Sequence, residues 1–353
     1  MPAPRAPGTR TPTAAPIPPL SLVTGATGLV GSHVVERLLA DGGAVRALVR
    51  DEGGAAWLAR LGAELRVGDV LDAESVRRAA AGCAVIHHAA AWVGARGGGG
   101  WEAYRRPNVD GTRSVVRAAE DTGARVVHVS SIAVYGPAAR DACPEDAPLA
   151  PLPAHAHYAR SKREAETVLF EAHAAGRVWA TAIRPSVIYG RRDRHFVPRV
   201  ARLLRLRAVP LPGGGRTPFA VVHAAAVADA AARAAVTDAA AGRAYNVAHD
   251  FDVTVRDFFR LAASGLGRQV RFAPVPLPLV HASVWMVRRA GALLLGADRE
   301  LLPRSTVDFL TRGNPYVSER ARRELGWAPA LTPDVGVPDA FRWLREGARE
   351  PAR

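Results

Sequence analysis

Tyr158 and Lys162 stand four positions apart in the stretch His157-Tyr158-Ala159-Arg160-Ser161-Lys162-Arg163-Glu164-Ala165-Glu166-Thr167-Val168. The stretch is rich in helix formers and free of Gly and Pro, so the two side chains share one helix face. An ammonium beside a phenol favours the phenolate and would draw its pKa, ordinarily about 10, toward the working pH, making the tyrosine a general acid and base. Composition singles out this pair, because Lys162 is the only lysine among 47 Lys plus Arg residues. A compact ammonium with rotatable donors stands where a planar guanidinium would not serve in the same way.

Such a pair needs elements that bring a reactant to it. The apolar run Leu20-Ser21-Leu22-Val23 feeds into Thr24-Gly25-Ala26-Thr27-Gly28-Leu29-Val30-Gly31 and an amphipathic helix from Ser32 to Ala40. Strand, glycine turn and helix in that order form a phosphate site. Gly25 and Gly28 let backbone approach a pyrophosphate at the helix N-terminus, and Gly31 lets the helix pack closely on the sheet. A second strand, Val45 to Val49, ends at Arg50 and Asp51. Arginine there suits a 2′-phosphate and a carboxylate suits ribose hydroxyls, so NADP(H) is favoured and NAD(H) stays open. Glu64 to Val67 is a third strand, followed by Gly68-Asp69-Val70, where Asp69 either accepts from an adenine amino group or caps the helix expected over 73–81.

Val85 to Ala91 reads as a fourth strand whose small Ala89 and Ala90 leave room for a cofactor, and His87 and His88 read as packing residues because no metal-ligand spacing accompanies them. The glycine-rich loop 94–100 borders that strand, and a helix is expected from Asn108 to about Glu120. A fifth strand, Arg125 to Val129, delivers Ser130 and Ser131 to the edge where open α/β sheets bind ligands. There the Ser131 hydroxyl can steady a carbonyl oxygen. A sixth strand, Trp179 to Ile183, leads through Arg184-Pro185 into a looser region with seven arginines between Arg191 and Arg207, read as a lid. Ala244 to Val247 returns as a strand and a helix starts near Thr254. Thr27, Leu29, Val70 and Pro185 complete the expected cofactor contacts.

At 353 residues, with 48% hydrophobic and 23% charged residues, the chain reads as an ordinary globular α/β protein. The fold expected is a Rossmann-type doubly wound parallel sheet over 20–190, with a smaller C-terminal substrate-binding subdomain over 191–345, a Pro-rich disordered leader over 1–19 and a tail from 346. Two cysteines make no disulfide framework, and a reducing cytoplasm fits. The net charge of +14 is spread along the chain without a nucleic-acid module, so no nucleic-acid partner is expected; a homodimer is left open. The run 277–296 is apolar and long enough to span a membrane, but it contains His281, Arg288 and Arg289, which argue against a span. A core helix is the default reading, and an interfacial helix with peripheral membrane contact is the sharper one.

The segments TGATGLVG, GDVLD, HHAAA, NVDGT, VSSIAVYG, YARSK and RPSVIYG, with SERARRELGWAP near the end, together resemble the extended short-chain dehydrogenase/reductase superfamily, the NAD-dependent epimerase/dehydratase group. RPSVIYG, VRALVRD and the apolar run after Pro276 are more similar to its 3β-hydroxysteroid dehydrogenase and dihydroflavonol reductase-like branch. The resemblance implies Ser131, Tyr158 and Lys162 as catalytic triad, pyrophosphate at Gly25, Gly28 and Gly31, and adenine at Asp69. Ala224-Ala225-Ala226 departs from the aspartates expected after His223 and leaves the capping of the next helix open. Three activities are compatible: hydride transfer to or from an apolar alcohol or ketone, nucleotide-sugar epimerisation or dehydration with the Arg191 to Arg207 run holding a diphosphate, and a catalytically silent nucleotide-binding regulator. The Ser-Tyr-Lys set disfavours the last.

Overall fold

The structure, a computed structural model, describes residues 20–94, 100–137, 142–248, 251–283, 285–286, 309–311, 313–329 and 331–347. The leader, residues 95–99 of the glycine-rich loop, residues 287–296 of the apolar run and the tail from 348 lie outside the described residues.

Seven parallel strands form the central sheet, in the order β10-β6-β5-β4-β1-β2-β3. These are β1 (Ser21–Thr24), β2 (Val45–Val49), β3 (Glu64–Val67), β4 (Val85–His88), β5 (Arg125–Val129), β6 (Ala180–Pro185) and β10 (Ala244–Val247). Strands covered by helices on both faces need apolar residues at successive positions, which is why β1, β4 and β6 are buried throughout. Order reverses between β1 and β4, and the carboxyl ends of those strands flank the crevice in which such sheets bind ligands. The doubly wound parallel architecture expected from the sequence is the one observed.

The covering helices are α1 (Leu29–Ala40), α2 (Ala56–Arg60), α3 (Ala73–Ala80), α4 (Trp101–Arg105), α5 (Gly111–Thr122), α6 (His157–Ala174) and α8 (Ala224–Val236). Val30, Val34 and Val35 of α1 pack with the buried alanines of α8 in one core. Small side chains on α8 let the two helices approach closely. Ala224-Ala225-Ala226 does not leave α8 uncapped, because His223 Nδ1 accepts from the Ala225 N–H at 3.1 Å.

The remaining elements form a second core around Phe258, Phe219 and Phe341. They are β7 (Val187–Tyr189), paired with β9 (Val221–His223); β8 (Ala208–Pro212), paired with β11 (Arg271–Val275); and α7 (Phe196–Leu203), α9 (Val255–Gly265) and α11 (Pro333–Gly347), whereas α10 (Glu319–Leu325) packs Ala321 and Leu325 into the core of the main sheet.

Four local expectations are corrected. β4 ends at His88, so Ala89 and Ala90 lie beyond the strand. β6 runs on to Pro185 because β10 pairs with it as far as Val247. The helix expected to begin at Asn108 begins at Trp101 and passes through a π-helical turn, Arg106–Asp110, before α5. Pro107 explains the wide turn: it has no N–H to donate, and its ring displaces the preceding turn. Finally, the described part of the apolar run is not a core helix, since Leu277, Leu279, Trp285 and Met286 are exposed. Among the described residues no helix is long and apolar enough to cross a membrane.

Candidate active site

The glycine turn is built as tightly as its residue types require. Gly25 has φ +66°, and a Cβ there would lie 2.6 Å from the Ala90 nitrogen; a Cβ on Gly31 would run into the Gly25 carbonyl. The turn therefore presses against Ala89 and Ala90, and α1 against the turn. Gly28 is the N-cap of α1 without a side-chain cap, flanked by part-exposed Thr27 and Leu29. Uncapped N–H groups at a helix start, in a cradle only glycine can line, suit a pyrophosphate. This chemistry fits a dinucleotide.

At the ends of β2 and β3 the Gly68 N–H donates to the Val49 carbonyl at 2.9 Å, which brings Arg50 and Asp69 to one edge. The Asp51 carboxylate accepts from Gly53 N (3.1 Å) and Gly54 N (2.9 Å), which ties it to its own turn. Arg50 is exposed. Asp69 is not the cap of α3: Asp72 accepts from Glu74 N and Ser75 N, because it stands directly before the first helical residue. Asp69 accepts from Leu71 N at 2.9 Å. Val70 packs against Gly111 of α5, and Pro185 closes β6 as a buried residue.

Ser131 ends the segment after β5 and accepts from the Ala133 N–H at 3.1 Å, which fixes its rotamer. Ser131 lies close enough to Tyr158 to act on its phenol. Tyr158 is half-buried; burial raises its pKa, and the neighbouring Ser131 opposes the rise. Lys162, 2% exposed, donates to the Val129 carbonyl at 2.7 Å. Burial lowers its pKa to about 8, against a raising influence from Glu166. The expectation that Lys162 draws the phenol down is thus corrected: the ammonium is aimed at a backbone carbonyl, and each group is pushed toward its neutral form by desolvation.

Sequence reading missed the frame around this trio. Asn108 accepts from Trp92 N (2.6 Å) and donates to Trp92 O (2.9 Å) and Ser161 Oγ (2.8 Å), and Ser161 donates to the Tyr158 carbonyl at 2.8 Å. One amide therefore ties the segment after β4 to α6. The available signal was an asparagine directly after a helix-breaking proline. His88 is more than packing: the Thr112 hydroxyl donates to the Asn108 carbonyl, so it accepts from His88 Nε2, which leaves Nδ1 to accept from Thr24. Burial and then Lys162 push its pKa down to about 3, so it is a neutral brace between β1 and α5.

Behind α6, the guanidinium of Arg184 donates to both Glu166 oxygens (2.9 and 2.7 Å), the Tyr135 hydroxyl and the Glu145 carbonyl. Tyr135 in turn donates to Asn246 on β10. Burial opposes the charge on Arg184, but the Glu166 carboxylate overrides it and raises the pKa. An arginine inside the apolar run of β6 was the sequence signal for this network.

Comparison with known proteins bears on what this arrangement does. Residues 21–248 match the NAD dependent epimerase/dehydratase family. The 4-hydroxy-2-methyl-3-oxo-4-farnesyl-3,4-dihydroquinoline-1-oxide ketoreductase of Stigmatella aurantiaca is 31% identical over 91% of this chain and 95% of its own length. Sterol demethylase protein B of Methylococcus capsulatus is 32% identical over 92% of this chain and 98% of its own. The UDP-glucuronic acid 4-epimerase of Bacillus cereus, solved with NAD, superposes with a TM-score of 0.72 at 17% identity, covering 94% of this chain and 100% of that one, a likeness of fold.

Proposed function

Because the chain belongs to the NAD-dependent epimerase/dehydratase family, among the extended short-chain dehydrogenases/reductases, we propose that it works as an NADPH-dependent ketoreductase on an apolar substrate, of the size of an isoprenoid or a sterol. The observation that carries the reading is the Tyr158 phenol beside Ser131, whose neutral form burial favours. A protonated phenol is a general acid, and reduction of a ketone needs one. The nicotinamide, when bound, supplies the hydride. Ser131 hydrogen-bonds the substrate oxygen, Tyr158 gives it a proton, and the Lys162 ammonium holds the nicotinamide ribose and the negative charge left on the phenolate. Gly25, Thr27, Gly28, Leu29 and Gly31 hold the pyrophosphate, Asp69 and Val70 the adenine, and Ala89, Ala90 and Pro185 border the nicotinamide half.

The names of the ketoreductase and sterol relatives support an apolar substrate. The nucleotide-sugar alternative draws on the Arg191 to Arg207 run, yet two of its arginines are already paired. Arg191 is bidentate to Asp339, and Arg192 donates to Ser32 and pairs with Glu36. The test is NADPH consumption with long-chain and polycyclic ketones, beside chromatography of UDP-glucose for an epimerised or dehydrated product. Turnover of the sugar nucleotide alone would overturn the reading.

Cofactor choice follows from the β2 edge, where the Asp51 carboxylate is tied to its own turn and Arg50 is exposed. A guanidinium can pair with a 2′-phosphate through two hydrogen bonds and gains little from a hydroxyl. Arg50→Ala is expected to weaken NADPH by about tenfold or more and leave NADH nearly unchanged, in a fluorescence titration of each. Equal losses for both cofactors would refute the assignment.

Lys162 also sets a pH limit. With its pKa lowered to about 8, it is charged below that pH and neutral above it, so kcat/KM for reduction should be level through neutrality and decline above about pH 8. In Lys162→Arg the guanidinium stays charged, so whatever activity survives should lack this limb. A wild-type profile level to pH 10 would show that the ammonium is not needed.

A further inference from the structure

Two arginine-rich runs without carboxylates meet on the C-terminal subdomain. Sequence segments 194–228 and 258–297 contain no Asp or Glu, while they hold six and five arginines. The parallel pairing of β8 with β11 joins these two runs, with Arg271 opposite Ala208, so Arg207 and Arg271 emerge at the same end of the ribbon. Arg205, Arg207, Arg268 and Arg271 are exposed, and none of them forms an ion pair among the described residues. Exposed Leu206 stands between two of them.

From the other end of the ribbon the chain passes Pro276 into a short helical segment. Leu277 sits over Gly213, where a Cβ would be 3.6 Å from its Cδ2, and remains part-exposed. Leu279, Trp285 and Met286 are 61%, 59% and 58% exposed. Large apolar side chains concentrated within ten residues, without a carboxylate nearby in sequence and with unpaired arginines at the far end of the same ribbon, are costly for a surface meant only for water. The same combination suits the boundary of a bilayer, where acyl chains take up the apolar side chains and anionic headgroups the guanidinium groups.

We propose that the β8–β11 ribbon, residues 277–283, Trp285 and Met286 form a docking surface for an anionic lipid bilayer, from which the enzyme collects its substrate. This rests on the reading of the substrate as apolar. The surface itself can be tested without any substrate. The full chain is expected to sediment with phosphatidylcholine vesicles containing about a third phosphatidylglycerol and to stay in the supernatant with pure phosphatidylcholine or in high salt. Leu279→Ser combined with Met286→Ser should reduce the bound fraction by about tenfold, and Arg207→Glu with Arg271→Glu should abolish the preference for phosphatidylglycerol. All four side chains are exposed or stand on an exposed edge, so melting temperature and turnover of a small water-soluble ketone should remain at wild-type values. Wild-type chain that ignores anionic vesicles would overturn the proposal, as would variants that sediment undiminished. So would a dimer that the apolar variants convert to monomer without any vesicle binding, since a second copy would then cover the patch. Vesicle binding without turnover of any apolar ketone would instead count against the catalytic reading and leave the surface standing.

Discussion

Tyr158→Phe should lower ketone reduction by a factor of about 10² to 10⁴, the usual contribution of a positioned general acid. The phenyl ring keeps the packing of α6, and Ser161 remains held by Asn108, so the helix has no reason to move. What disappears is the phenolic proton donor near Ser131. Cofactor affinity, measured by fluorescence titration, should change little, because Lys162 is anchored independently on the Val129 carbonyl. Loss confined to kcat separates a catalytic tyrosine from one that only shapes the pocket. Near-normal turnover in the variant would mean that α6 does not carry the chemistry.

The second large effect concerns stability. Arg184 and Glu166 are both nearly excluded from water, with side-chain exposures of 9% and 7%. Removing one partner of such a pair leaves the other as an uncompensated buried charge, at a cost of about 3–5 kcal/mol. Glu166→Ala is therefore expected to destabilise the fold by that amount in equilibrium urea unfolding. Glu166→Gln should cost less, because the amide oxygen still accepts from the guanidinium. The two substitutions differ in what they do to Arg184, so equal losses would show that packing, and not the charge, is what Glu166 provides. The network also reaches Tyr135, Glu145 and Asn246, and so joins α6, β6 and β10. Turnover in the glutamine variant should consequently fall more than its stability suggests if the network holds α6 in register with Ser131.

Much of this protein is legible from its sequence because the relevant signals are local. A strand, a three-glycine turn and a helix follow one another within a short stretch, and steric exclusion at Gly25 and Gly31 leaves no other residue type suitable. Continuous apolar runs identify the buried parallel strands, and helical spacing places Tyr158 and Lys162 on one face. The family resemblance rests on the same segments in the same order, and the match over residues 21–248 agrees with it.

Tertiary structure decided what depends on residues far apart in the chain. The pKa of Tyr158 follows from burial and from Ser131, not from the lysine one turn away, because Lys162 finds its acceptor on β5. The role of Asn108 exists only once Pro107 has opened a π-helical turn that lets one amide reach both Trp92 and Ser161. Asp51 and Arg50 look equivalent as neighbours in sequence and differ because a turn ties the carboxylate to the Gly53 and Gly54 N–H groups. The apolar run after Pro276 has the hydropathy of a core helix, yet its described part is exposed, since the aromatic core of the subdomain is filled by Phe219, Phe258 and Phe341. Hydropathy reports that a side chain avoids water, and only the packed molecule determines whether the protein itself provides the cover.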